Sequence, residues 1–151
     1  MRGVVDYGSI YFEECVRLYL SVFNSDPINE TWTLESVRKR LNEIISNPGF
    51  LGLLFLDDRV IGLALGYSEQ SLNGRVFYLK ELCISKEKQH MGVGSRLISS
   101  LESRSQDLGI TQIRLLTWGQ GQTFDFYVKN GYSTDDRLIL MSKELEEAPE
   151  E

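Results

Sequence analysis

Gln89-His90-Met91-Gly92-Val93-Gly94-Ser95 lies between an apolar stretch, Val76 to Ile84, and a stretch from Gly92 to Leu108 whose apolar residues recur at helical spacing. The order is strand, short basic turn, glycine-flanked helix start. The first turn of a helix leaves backbone N–H groups without intrahelical acceptors, and the macrodipole puts positive potential there. Gly92 and Gly94 let an anion come close to the main chain, so a pyrophosphate is expected at residues 90 to 95. Lys86, Lys88 and Arg96 flank the turn and are candidate phosphate contacts.

Downstream, Val93, Leu97, Ile98, Leu101 and Leu108 form the stripe of that helix, and Gly109 ends it. Ile110 to Trp118 reads as a strand, so a strand–helix–strand crossover with parallel strands is expected. A short helix over 122–129 stops at Asn130-Gly131, and the segment Arg137 to Leu145 supplies a closing strand or hairpin. The acidic tail, residues 144–151, is expected to be frayed and solvated.

Upstream, Asn73-Gly74 marks a turn, and Phe50 to Leu56 with Val60 to Tyr67 reads as a hairpin around Asp57-Asp58-Arg59. With Val76 to Ile84 these strands make an antiparallel meander. Two helices precede it. The first carries Phe12, Val16, Tyr19, Leu20 and Phe23; the second starts at a Thr33 cap and carries Leu34, Val37, Leu41, Ile44 and Ile45. Arg38, Lys39, Arg40 and Glu43 fall on its outer face, and Asn47-Pro48-Gly49 stops it. The fold expected is a mixed α/β architecture with helices around a mostly antiparallel sheet.

The 151 residues, 42% apolar and 25% charged, suit a single soluble domain over 1–151, and no linker or repeat divides them. No signal peptide is read at the N-terminus, and Phe50 to Leu56 is too short to span a bilayer, so a cytoplasmic protein away from membranes is expected. A net charge of −6 argues against a nucleic-acid partner and favours a cationic substrate. Cys15 and Cys83 lie in a helix and a strand without neighbouring ligands, which reads as two buried thiols and no metal site.

Two familiar nucleotide loops fail against the glycine run. A P-loop needs Lys then Ser or Thr after its second glycine, where Ser95-Arg96 stands; the dinucleotide fingerprint needs a third glycine, where Leu97 stands. The run instead matches Q/R-x-x-G-x-G/A. Here the chain resembles the GNAT superfamily of GCN5-related N-acetyltransferases, and over most of its length. Leu79-Lys80-Glu81-Leu82-Cys83-Ile84 resembles the family's fourth strand, and Gln89 to Gly94 its acyl-CoA pyrophosphate loop. Phe124-Asp125-Phe126-Tyr127-Val128-Lys129-Asn130-Gly131-Tyr132 resembles its F-Y-x-x-x-G-F/Y segment.

The resemblance implies a sheet splayed between its fourth and fifth strands, with acetyl-CoA in the opening as co-substrate and no metal. Its pantetheine arm would pair with the backbone of Leu82, Cys83 and Ile84. The main chain of Gln89, His90, Met91, Gly92, Val93, Gly94 and Ser95 would hold the phosphates, with Phe124 also at the cofactor and Gln120 where relatives often carry an asparagine that touches it. Tyr127 matches the family tyrosine that protonates the departing thiolate, and Glu81, a charge in an apolar strand, is the candidate base for the substrate ammonium. His90 departs from the glycine common in relatives and is expected beside the cofactor or exposed.

The function implied is N-acetylation of a primary amine of a small molecule by direct attack on the thioester. Pro27-Ile28-Asn29-Glu30-Thr31-Trp32-Thr33 resembles aminoglycoside 6′-acetyltransferase-like members, and Asp26, Glu30, Asp135 and Asp136 are candidate contacts for a cationic acceptor. Cys83 as an acyl-accepting nucleophile ranks below direct transfer, since no histidine base pairs with it. The rival reading is a non-catalytic acyl-CoA-binding regulatory or interaction domain; a homodimer formed through sheet edges suits either.

Overall fold

Leu54, Leu63, Leu65 and Cys83 share one face of a sheet with a layer of helical side chains, Cys15, Val16, Tyr19, Val37 and Leu41, and these pack as one apolar cluster. In the computed structural model, which describes residues 2–149, that cluster belongs to the first of two compact units, Met1–Thr117 and Trp118–Glu151.

The first unit contains β1 (Arg2–Asp6), α1 (Phe12–Phe23), α2 (Leu34–Ile45), β2 (Phe50–Asp57), β3 (Val60–Ser71), β4 (Gly74–Ile84), α3 (Val93–Asp107) and β5 (Ile110–Arg114). The strands lie in sequence order in one sheet, antiparallel from β1 to β4. The β4–β5 pair alone is parallel, as the expected crossover through α3 requires.

α1 and α2 cover one face. α2 begins with a reciprocal capping box: Ser36 N–H donates to Thr33 Oγ1 at 3.0 Å and Thr33 N–H donates to Ser36 Oγ at 2.9 Å. The connection between the two helices is closed by Asn24, whose Nδ2 donates to the Trp32 carbonyl and whose Oδ1 accepts from the Trp32 N–H, both at 2.8 Å. α3 covers the opposite face. A Cβ added at Gly62 of β3 would stand 3.0 Å from Leu97 and 3.4 Å from Val93, so the glycine is what lets this helix lie close to the sheet.

The sheet parts where the family resemblance implies. β5 pairs with β4 only from Arg75 to Tyr78 and ends at Arg114, whereas β4 runs on to Ile84. The backbone from Leu79 to Ile84 therefore pairs on the β3 side and, among the described residues, with no strand on the β5 side. A bulge sits just there: Leu65 opposes Glu81 and Gly66 opposes Leu79, leaving Lys80 as the extra residue. Gly66 cannot carry a side chain at this point, because a Cβ would lie 2.0 Å from the Tyr78 carbonyl oxygen. Gly66→Ala is expected to cost about 3 kcal/mol, since strand backbone and not a flexible side chain must give way; chemical denaturation measures it, and an unchanged midpoint would contradict the packing.

The second unit holds one helix, α4 (Gln122–Lys129), closed by Gly131 at φ 92° whose N–H donates to the Val128 carbonyl at 3.0 Å. The closing strand expected over Arg137 to Leu145 is not formed. These residues have no regular structure, and Leu138 to Met141 are 62–82% exposed. A short apolar run is compatible with a strand, yet a strand exists only where another backbone pairs with it, and the described residues of this unit include none. Three further differences concern the first unit. β5 stops four residues before Trp118; β1 carries no strand pattern of its own, because only Val4 and Val5 are apolar and pairing with β2 creates it; and Arg40 does not lie on an outer face. Of the acidic tail, residues 144–149 are exposed and without regular structure, while Glu150 and Glu151 lie outside the described residues.

Candidate active site

The start of α3 leaves backbone donors open. Gly92 caps it in a left-handed conformation, φ 81°, with no side chain bonded to the first turn, and the first backbone bond of the helix runs from Arg96 N–H to the Gly92 carbonyl at 3.1 Å. The N–H groups of Val93, Gly94 and Ser95 precede that bond and have no acceptor in the helix. A Cβ at Gly92 would meet nothing within 4 Å, so the space above the glycine is open. His90 also adopts positive φ, 63°, and both it and Met91 are exposed. These residues fit a diphosphate, which needs converging N–H donors and close backbone approach.

Gln89 does something the motif alone does not reveal. Its side-chain amide donates to the Ile84 carbonyl at 2.9 Å, tying the turn back to the end of β4. Ser85 N–H donates to the Ile61 carbonyl at 2.8 Å, on the β3 side. Backbone polar groups alternate along a strand, so Cys83 shares that direction while Leu82 and Ile84 present theirs to the open edge. Of the three residues proposed to pair with a pantetheine arm, Leu82 and Ile84 thus have main-chain groups on the side β5 leaves vacant.

The basic residues around the loop are mostly engaged. Lys88 pairs with Asp57 at 3.7 Å, and the Arg96 guanidinium lies over the Phe55 ring at 4.9 Å. Lys86 is exposed and has no ion pair among the described residues.

Glu81 is 7% exposed on the face covered by α1 and α2. Its Oε1 accepts from the Tyr19 hydroxyl at 3.1 Å and from Arg40 Nε at 2.9 Å. Burial pushes the Glu81 carboxyl above its ordinary value, with Arg40 and the Tyr19 hydroxyl pulling the other way. Burial likewise raises the Tyr19 phenol, and the neighbouring carboxylate adds to it. Neither partner was singled out from the sequence. A signal existed for Arg40: it stands three residues after Val37 and one before Leu41, on the flank of the buried stripe.

Cys83 is buried, and burial raises its thiol well above the ordinary value, with Glu81 adding to the shift. A thiol so held is a poor nucleophile. The acidic side chains of the acceptor regions are occupied too: Asp26 accepts from Asn29 at 2.7 Å, Glu30 from Trp32 Nε1 at 3.1 Å, Asp135 from Arg137 at 2.9 Å and Asp136 from Thr134 at 3.2 Å.

In the second unit Tyr127 is buried on α4, with its ring edge-on to Phe126 at 5.3 Å and to Tyr132 at 5.7 Å. Its carbonyl accepts from the Tyr132 N–H at 2.9 Å, which turns Tyr132 back onto the helix. Phe124 is half-buried and Gln120 exposed.

A meander joined through a helix to a parallel strand that parts from its neighbour defines a mixed α/β architecture. The acetyltransferase (GNAT) family matches residues 12–132, and the chain belongs to that family. No curated protein matches the chain. Among solved structures, an aminoglycoside acetyltransferase from an uncultured soil metagenomic sample, in complex with sisomicin, is 13% identical, with a TM-score of 0.75 over 96% of this chain and 97% of that one. An aminoglycoside N-acetyltransferase, AAC(6′)-Iy, in complex with CoA is 15% identical, with a TM-score of 0.75 over 96% of each. A Trypanosoma brucei acetyltransferase is 13% identical, with a TM-score of 0.70 over 95% of this chain and all of that one. At these identities the likeness is one of fold. Among the described residues no helix is long and apolar enough to cross a membrane, and no group of three His, Cys, Asp or Glu is placed to hold a metal.

Proposed function

We propose that this protein is an N-acetyltransferase that passes an acetyl group from acetyl-CoA directly to a primary amine of a small molecule. The observation that carries the reading is the uncapped first turn of α3, opened by left-handed Gly92, in a chain of the acetyltransferase family. Bound acetyl-CoA supplies the thioester. The N–H groups from His90 to Ser95 hold its phosphates, and the open edge of β4 at Leu82 and Ile84 receives its amide-bearing arm. Phe124 and Gln120 are the further cofactor contacts that the family resemblance implies.

Glu81 takes the proton of the acceptor ammonium, directly or through one water, so that a neutral amine attacks. The new C–N bond forms as the C–S bond breaks; the Tyr127 phenol gives its proton to the departing sulfur, and the nitrogen loses its second proton to water as the amide forms. Both residues then re-equilibrate with solvent. Small-molecule acceptance is supported by the two aminoglycoside acetyltransferases of like fold, one holding sisomicin. A cytoplasmic enzyme is part of the same proposal.

Thiol release from acetyl-CoA, followed across a panel of primary amines, tests this. Release that depends on the amine is expected. Calorimetric binding of acetyl-CoA without release by any amine would replace the enzyme with an acyl-CoA-binding module.

A further inference from the structure

Three elements converge on one carboxylate oxygen. Glu81 Oε1 on β4 accepts from Tyr19 on α1 and from Arg40 on α2. Glu81 Oε2 has no bond from a described residue. The Glu81 side chain keeps 8% of its surface exposed. One oxygen is therefore gripped and the other left without a donor among the described residues.

The grip is itself supported. The Tyr19 ring packs against Phe23 at 4.4 Å and meets Trp32 edge-on at 5.2 Å, and Trp32 is held by the two reciprocal bonds to Asn24. The Arg40 side chain is about one-third exposed, enough to keep its charge hydrated while Nε stays on Glu81. The other titratable group acting on this carboxyl is Glu30, from the connection between α1 and α2, while the carboxyl itself raises the Cys83 thiol on the same strand, as Cys15 of α1 does. Arg40 is the only cation in that set.

We propose that Arg40 and Tyr19 are positioning residues for acetyl transfer, holding Glu81 by one oxygen so that the other is aimed to take the acceptor's proton. This rests on the reading of Glu81 as the base. The sign of the effect follows from the charges. Arg40 and the Tyr19 hydroxyl stabilise the carboxylate, so each pulls the Glu81 pKa down against its burial. A base must be ionised to work, and activity is lost as pH falls through its pKa. Without Arg40 the acidic limb of the rate profile moves to higher pH.

The test compares wild type with Arg40→Gln, Arg40→Lys, Tyr19→Phe and Glu81→Gln. Two quantities are followed against pH: kcat/KM for an amine that the wild type acetylates, and the ¹³C shift of the Glu81 side-chain carboxyl in protein free of acetyl-CoA. For Arg40→Gln both transitions are expected to rise by about one pH unit, with KM for acetyl-CoA unchanged. Arg40→Lys restores most of the shift, and Tyr19→Phe moves the transitions in the same direction by less. A folded Arg40→Gln protein whose carboxyl titrates where the wild type does would overturn the proposal. Should Arg40→Gln not fold, Tyr19→Phe decides by the same titration. Glu81→Gln separates the two readings. If it keeps the wild-type acidic limb, the base assignment fails; if it loses the limb while Arg40→Gln leaves it in place, only the positioning role fails.

Discussion

Gly92→Val is expected to weaken acetyl-CoA binding about 100-fold, close to 3 kcal/mol, with the protein still folded. Two costs are separate. The backbone at residue 92 is left-handed, φ 81°, where a side chain with a Cβ costs roughly 1–2 kcal/mol and a β-branched one has few rotamers to relieve it. The cost in binding is crowding. The direction a Cβ would take from Gly92 is empty to 4 Å, so the valine disturbs no packing but fills the space an anion needs above the N–H groups of Val93 and Gly94. That is why binding suffers more than stability. Calorimetry with acetyl-CoA measures the first and thermal melting the second. An unchanged affinity would remove the loop from the cofactor site.

Tyr127→Phe is expected to lower kcat about 100-fold, at the lower end of what a positioned general acid contributes, while leaving the dissociation constant for acetyl-CoA within about twofold. Phenylalanine keeps the ring and its edge-on packing on Phe126 and Tyr132, so α4 and its return to Tyr132 stay intact. The hydroxyl is the only group removed. Single-turnover rates at saturating acetyl-CoA and amine isolate the transfer step from product release. Equal rates for the two proteins would assign the proton to another donor.

Much of the fold could be read from local pattern. α1, α2, the hairpin of β2 and β3, α3 and α4 are each announced by an apolar period that matches their geometry and by a turn or cap residue at the boundary: Thr33 before α2, Asp58 in the hairpin, Gly109 after α3, Gly131 after α4. β1 has no such pattern, because its five residues become a strand through pairing with Leu53 to Asp57. The segment from Arg137 shows the opposite case. Its apolar residues have the look of a strand, but pattern says nothing about whether a partner edge is present.

The candidate site divides along the same line. By itself the sequence determined the loop proposed to hold phosphate, since what it offers, backbone N–H groups, a helix start and two glycines, is local in the chain. It also singled out Glu81, because a charge inside an apolar strand is visible without coordinates. What surrounds Glu81 was decided by the tertiary structure alone. Tyr19 is 62 positions away and Arg40 is 41, and only the layering of α1 and α2 on β4 brings their donors to one oxygen. The same holds for the open edge of β4, which exists because β5 ends at Arg114 while its neighbour continues to Ile84. A residue's chemistry is written in its own side chain; its ionisation and aim are set by groups that chain folding, and not chain order, makes its neighbours.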